Sequence, residues 1–220
     1  MIEYAFELNT GKKIGFKVDL ERKSKPVENT GHLPEWTRLG FKKCSNCILC
    51  EDQNPYCPTA VDIKNVVAEF AEISSINETS VVVRMNDRTI RKECDAQTAL
   101  NSLLGLLMAT SACPILSRLN SLARFHLPFA TFNETLYRTV GDYLIKQYLV
   151  MNDGGKPDFE LVGLQALYQE LAELNRCFHE RLKEVAKLDS SINVIANLSS
   201  LSMIVQFSIH DRLKAIKGFM

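Results

Sequence analysis

Four cysteines, Cys44, Cys47, Cys50 and Cys57, fall within fourteen residues, and Cys57 is followed by Pro58. Thiolates this close in sequence are metal donors first. Tetrahedral zinc needs four soft ligands about 2.3 Å from the ion, and a Cys-x2-Cys turn aims two sulfurs inward. Cys44 and Cys47 meet that spacing, Cys57 can return as a third donor after Asn54 and Pro55, and Cys50 is available as the fourth. His32, twelve residues before Cys44, is a reserve donor.

The spacing departs from the ordinary zinc ribbon, whose two Cys-x2-Cys pairs stand about 15–20 residues apart. Three cysteines at intervals of three followed by Cys-Pro come closer to the ferredoxin run that holds an iron–sulfur cluster. Six residues, however, separate Cys50 from Cys57 where that run has three. A thiol–disulfide pair and reduced thiols packed as small hydrophobes complete the alternatives. Four-thiolate zinc would be a closed site that folds the 37–60 loop, whereas an iron–sulfur cluster would imply electron transfer or sensing.

A second constellation lies downstream. Cys113 precedes Pro114 at an expected helix start, where unpaired backbone amides favour thiolate. Arg124, His126, Glu134, Tyr137 and Arg138 follow. A nucleophilic Cys113–His126 site with Arg124 is the sharp expectation here, but thirteen residues of helix would hold the pair about 20 Å apart. Capping and ion-pairing roles are the commoner use of such groups. Trp36, the sole tryptophan, is read as packing the cysteine loop onto the domain,.

The elements that must position these groups follow from periodicity. Ile2, Tyr4, Phe6 and Leu8 alternate, as do Ile14, Phe16, Val18 and Leu20, on either side of Gly11, which predicts a β-hairpin,. Val81–Met85 and Thr89–Glu93 predict another, and the two are expected to share a small antiparallel sheet. Residues 21–36 are polar and carry Pro26, Gly31 and Pro34, as a loop does,. Asp62 is the expected cap of a helix with its stripe on Ile63, Val66, Val67, Phe70 and Ile73.

Ala96–Thr110 is apolar on nearly every side and predicts a central buried helix. Pro114 suits the first turn of the next helix, Asn133 the start of another, and Asn152–Gly155 its stop. Leu164 through Val185 and a segment after Asp189 carrying Ile192 to Ile216 read as two long amphipathic helices. The fold class is thus α+β: a mainly helical bundle with two β-hairpins forming the sheet. Residues 1–95 hold the hairpins, the cysteine loop and one helix; 96–220 hold the bundle.

Composition narrows the function classes. Apolar and charged fractions of 46% and 24% exclude a mainly disordered chain,. Lysine plus arginine equals aspartate plus glutamate at 26 each, so the field that steers a protein onto nucleic acid is missing,. The N-terminus lacks the pattern of a signal peptide, and no apolar run approaches the roughly 18–20 residues of a membrane span. A cytoplasmic location and reduced cysteines are expected. The partner expected is a protein or a second copy of the chain, with neither nucleic acid nor membrane.

Three stretches carry a resemblance: Trp36–Cys47, Tyr56–Pro58, and Ala109–Pro114 followed by Ala123–Thr131. They resemble a family of bacterial proteins without an assigned activity. The resemblance covers nearly the whole chain and implies a cytosolic bacterial protein. It also implies that Cys44, Cys47 and Cys57 are required more than Cys50, with His32 or a water completing the set. The expectation that results is a non-enzymatic protein with a zinc-stabilised loop that acts by binding. An iron–sulfur or thiol redox sensor is the alternative, and an enzyme built on Cys113, Arg124 and His126 ranks lower.

Overall fold

A computed structural model of the chain describes residues 1–21 and 33–185, together with 202, 203, 209, 211, 213 and 214. It is an α+β protein: among the described residues, five α-helices accompany a four-stranded antiparallel sheet. Much of the expected 21–36 loop, His32, His210 and most of the expected last helix after Asp189 lie outside the described residues.

The sheet has the order β2-β1-β3-β4. β1 (Ile2–Leu8) pairs with β2 (Lys13–Val18) so that Tyr4 faces Phe16 and Phe6 faces Ile14. Gly11 makes the turn at φ +82°, a conformation that favours a residue with no Cβ,. On its other side β1 pairs with β3 (Glu78–Arg84), placing Tyr4 opposite Val83 and Phe6 opposite Val81. The alternation explains the choice of register, because Ile2, Tyr4, Phe6 and Leu8 are buried together with Val81 and Val83,. β4 (Thr89–Asp95) closes the sheet against β3 and buries none of its residues. Its Arg91, Lys92 and Glu93 mark the kind of charged edge that resists pairing with another chain.

α1 (Pro58–Glu69) lays Ile63, Val66 and Val67 on the core, with Phe70 just beyond its end and edge-on to Phe6 at 5.3 Å between ring centres. Its start corrects the expected cap at Asp62: Cys57 is the N-cap and Pro58 the first helical residue, as proline's fixed φ permits,. α2 (Ala96–Ala109) is the central helix, capped by Asp95, whose carboxylate accepts from the Thr98 amide at 2.7 Å. It is buried on nearly all sides, including Leu100, Leu103, Leu104 and Leu106.

After Pro114 the expected helix is reduced to a 3-10 turn at Leu116–Leu119 and the short α3 (Asn120–Arg124). α4 (Phe132–Asn152) has its N-cap at Thr131, two residues before the expected Asn133. Thr131 and Glu134 close a capping box in which each side chain bonds the other's backbone,. α5 (Val162–Lys183) turns Leu164, Leu167, Leu171, Leu174, Phe178 and Leu182 inward. One hydrophobic core joins residues from both sides of position 95. None of the described helices is long and apolar enough to cross a membrane.

Candidate functional site: a thiol-lined pocket

Cys44, Cys47 and Cys57 do come together in space, and the residue that joins them is Cys113. All four line one cavity of about 30 Å³, whose remaining walls are apolar, among them Leu39, Ile48, Ile115 and Phe178. Cys50, counted in the sequence as the fourth donor, lies apart. It is exposed, its sulfur is 4.0 Å from the Asp52 carboxylate, and it does not line the cavity. The turn that brings the Asn54 amide back to the Cys50 carbonyl at 2.8 Å directs this stretch outward.

Each thiol is placed by local backbone. The Cys47 amide donates to the Cys44 carbonyl at 3.0 Å, so one turn presents both side chains to the same side. Cys57 is held by its own amide, which donates to the Thr37 carbonyl at 2.8 Å. As N-cap of α1, its sulfur lies beside the amides of Thr59 and Ala60, which favour its thiolate without a capping hydrogen bond. Cys113 repeats this arrangement before the 3-10 turn, beside the amides of Ile115 and Leu116 and the Thr59 hydroxyl. Two Cys-Pro dipeptides therefore place two sulfurs beside the first amides of a helical turn.

Burial pushes the Cys44, Cys57 and Cys113 thiols up. The neighbouring sulfurs of Cys177, Cys57 and Cys47 add to the rise at Cys44, as thiolate beside thiolate must,. The amide donors and one cation oppose it. Arg181, on α5, is 1% exposed, and its charge lowers both Cys44 and Cys57. Its Nη1 donates to the Trp36 and Arg38 carbonyls at 2.6 and 2.8 Å, and its Nη2 to the Leu39 carbonyl at 3.4 Å. The rings of Phe41 and Phe178 flank it at 5.8 and 5.7 Å. Among the described residues no carboxylate pairs with it, and its Nε has no hydrogen-bond partner.

A buried guanidinium with only neutral acceptors is costly unless an anion lies nearby, and the anions that this site can supply are thiolates. Cys177 stands close by on α5, but its thiol donates toward the Glu173 carboxylate at 3.4 Å. The loop is tied to the same helix by Ser45, bonded to Glu173, and by the Asn46 side chain, which donates to the Glu170 carbonyl at 3.0 Å.

The second constellation is dispersed. Arg124 forms an exposed ion pair with Glu21 at 2.8 Å. His126 meets the Tyr4 hydroxyl at 2.6 Å, and Cys113 belongs to the thiol pocket. Trp36 is buried in the core, and its carbonyl is an Arg181 acceptor. Reading the sequence missed Arg181 altogether, although a charge three residues beyond Phe178 on an apolar stripe marks it.

Among the described residues, no group of three or more His, Cys, Asp or Glu side chains forms an arrangement that could hold a metal ion. A four-thiolate zinc site needs its sulfurs converged on one point, and no such arrangement is found among the described residues,. Fold and pocket together define an α+β protein with a sulfur-lined, otherwise apolar cavity beside a buried cation. The chain belongs to the family described as a domain of unknown function, DUF6901, whose model matches residues 2–220. No curated protein and no solved structure matches it.

Proposed function

We propose that this is an iron–sulfur protein whose cluster ligands are Cys44, Cys47, Cys57 and Cys113, serving as a one-electron centre or a sensor. The observation that carries the reading is the joining of Cys113 to the Cys44–Cys57 loop around one apolar cavity. A multi-iron core spreads its four thiolates wider than a single ion does, and seating one here requires the loop to open, because the cavity of about 30 Å³ has room for only about one or two waters,. Backbone amides beside the ligand sulfurs and a low-dielectric wall would both tune its potential. Arg181 supplies a positive charge to a site that would carry net negative charge.

The test is iron and acid-labile sulfide in the untagged protein purified anaerobically, with its visible spectrum. Iron and sulfide in equal amounts with a broad charge-transfer band are expected. Cys113→Ser should lose both, and Cys50→Ser should retain them. About one zinc per chain without colour would replace this reading by the structural zinc site. Loss of the cluster in Cys50→Ser but not in Cys113→Ser would overturn the ligand assignment.

A further inference from the structure

A second, larger cavity of about 470 Å³ lies between α2, α3 and α4, away from the cysteines, and its size is that of small-molecule sites,. Its floor is apolar, formed by Leu106, Leu119 and Leu122 among others, and hydroxyls and an amide ring it. Two cations reach it: Arg138 from α4 and Lys92 from the edge strand β4. Among the described residues no aspartate or glutamate lines it.

Neither cation is spent on an ion pair among the described residues. Arg138 directs one nitrogen, Nη2, to the Leu122 and Phe125 carbonyls at 2.9 and 2.5 Å. Lys92 rests over the Phe129 ring at 5.5 Å. The nearest carboxylates are otherwise engaged: Glu134 closes the capping box with Thr131, and Asp142 holds Lys146 at 2.6 Å. On another wall, Ser102 and His126 are both bonded to the Tyr4 hydroxyl at 2.6 Å, which fixes them.

We infer that this cavity binds a small organic acid, with its carboxylate on Arg138 and Lys92 and its apolar body over the α2–α3 floor. An apolar floor beneath separate cations and hydroxyls fits one carboxylate on a hydrocarbon body better than a densely charged phosphate, which calls for convergent donors. The site is independent of the thiol pocket, shares none of its lining, and stands whether or not that pocket holds a cluster.

Equilibrium dialysis of the full chain against labelled octanoate, with octanamide as its neutral counterpart, tests this. Saturable binding at one site per chain is expected, with octanamide weaker by at least about tenfold, the effect of losing one charge-assisted contact. Arg138→Gln should weaken octanoate comparably. Thr135→Phe, which fills the cavity from a half-buried helical position, should abolish binding while leaving the circular dichroism spectrum intact. Equal affinity for octanoate and octanamide would overturn the carboxylate assignment. Absence of saturable octanoate binding at millimolar concentration, or unchanged binding in a folded Thr135→Phe protein, would overturn the site.

Discussion

Replacing Arg181 by methionine keeps much of the side chain's volume and removes its charge and all its donors. The wild-type guanidinium makes two short bonds to the Trp36 and Arg38 carbonyls and a longer one to Leu39. Each bond to a charged donor is worth about 1.5–3 kcal/mol net. Against their loss stands the recovered desolvation of a cation at 1% exposure, which is why the sum of the bonds overstates the effect. A buried carbonyl left without its donor costs about 1–3 kcal/mol, which for the carbonyls that lose Arg181 comes to roughly 3–5 kcal/mol after that offset. We expect that range here. For a chain of this size it corresponds to a melting temperature lower by about 6–20 °C. Urea unfolding followed by circular dichroism measures it directly. Arg181→Lys should recover little, since one ammonium cannot span three carbonyls and lie flat between two rings. A loss under about 1 kcal/mol for Arg181→Met would refute the argument that this cation holds the 36–39 segment against α5.

Two further outcomes follow from the same geometry. Burial, with Arg138 adding to it, holds His126 down to about 4 from an ordinary 6.5, so the unfolded chain binds its proton first as pH falls. The stability this withholds is fully present above pH 6.5 and disappears on descending to pH 4. It amounts to at most about 3 kcal/mol, and in pH-dependent urea titrations His126→Asn should flatten that window. A wild-type midpoint independent of pH between 4 and 6.5 would contradict the burial of a neutral imidazole against Tyr4. Thr131→Ala opens the capping box of α4 and should cost about 0.5–2 kcal/mol by the same assay,; an unchanged midpoint would show that the helix start is held by packing alone.

Most of the frame was legible in the residues. Alternation in Ile2–Leu8 and in Val81–Val83 reported a sheet with one covered face, and the all-round apolar text of Ala96–Ala109 reported a buried helix. Helix starts were less legible where two signals competed. Asp62 looked like a cap, yet Pro58 had already fixed the first turn, and Asn133 was overridden by the Thr131 and Glu134 pair two residues earlier. The pocket was half legible. Cys44, Cys47 and Cys57 were visible as a group because they are local. Cys113 was set aside as a separate nucleophile because only the packing of α2 on α1 brings a residue so distant in sequence to the others. Local spacing favoured Cys50, whereas the turn at 51–54 sends it to solvent. The Tyr4–His126 contact joins residues more than a hundred apart and leaves no mark in local spacing, and neither do the carbonyls that Arg181 finds.

The division of the thiols along the chain has a bearing on biosynthesis. Cys44, Cys47 and Cys57 leave the ribosome together, and fifty-five residues, including β3, β4 and α2, must follow before Cys113 appears. At ordinary bacterial or eukaryotic elongation rates that interval is about 3–11 s. Throughout it a nascent chain exposes three sulfurs without the fourth and without Arg181, which lies farther still toward the C-terminus. An ion captured during that time would meet an open, three-donor site in water rather than the closed cavity. The position of Cys113 therefore ties completion of the sulfur set to docking of α2, and makes the finished pocket a product of the folded chain rather than of the cysteine loop.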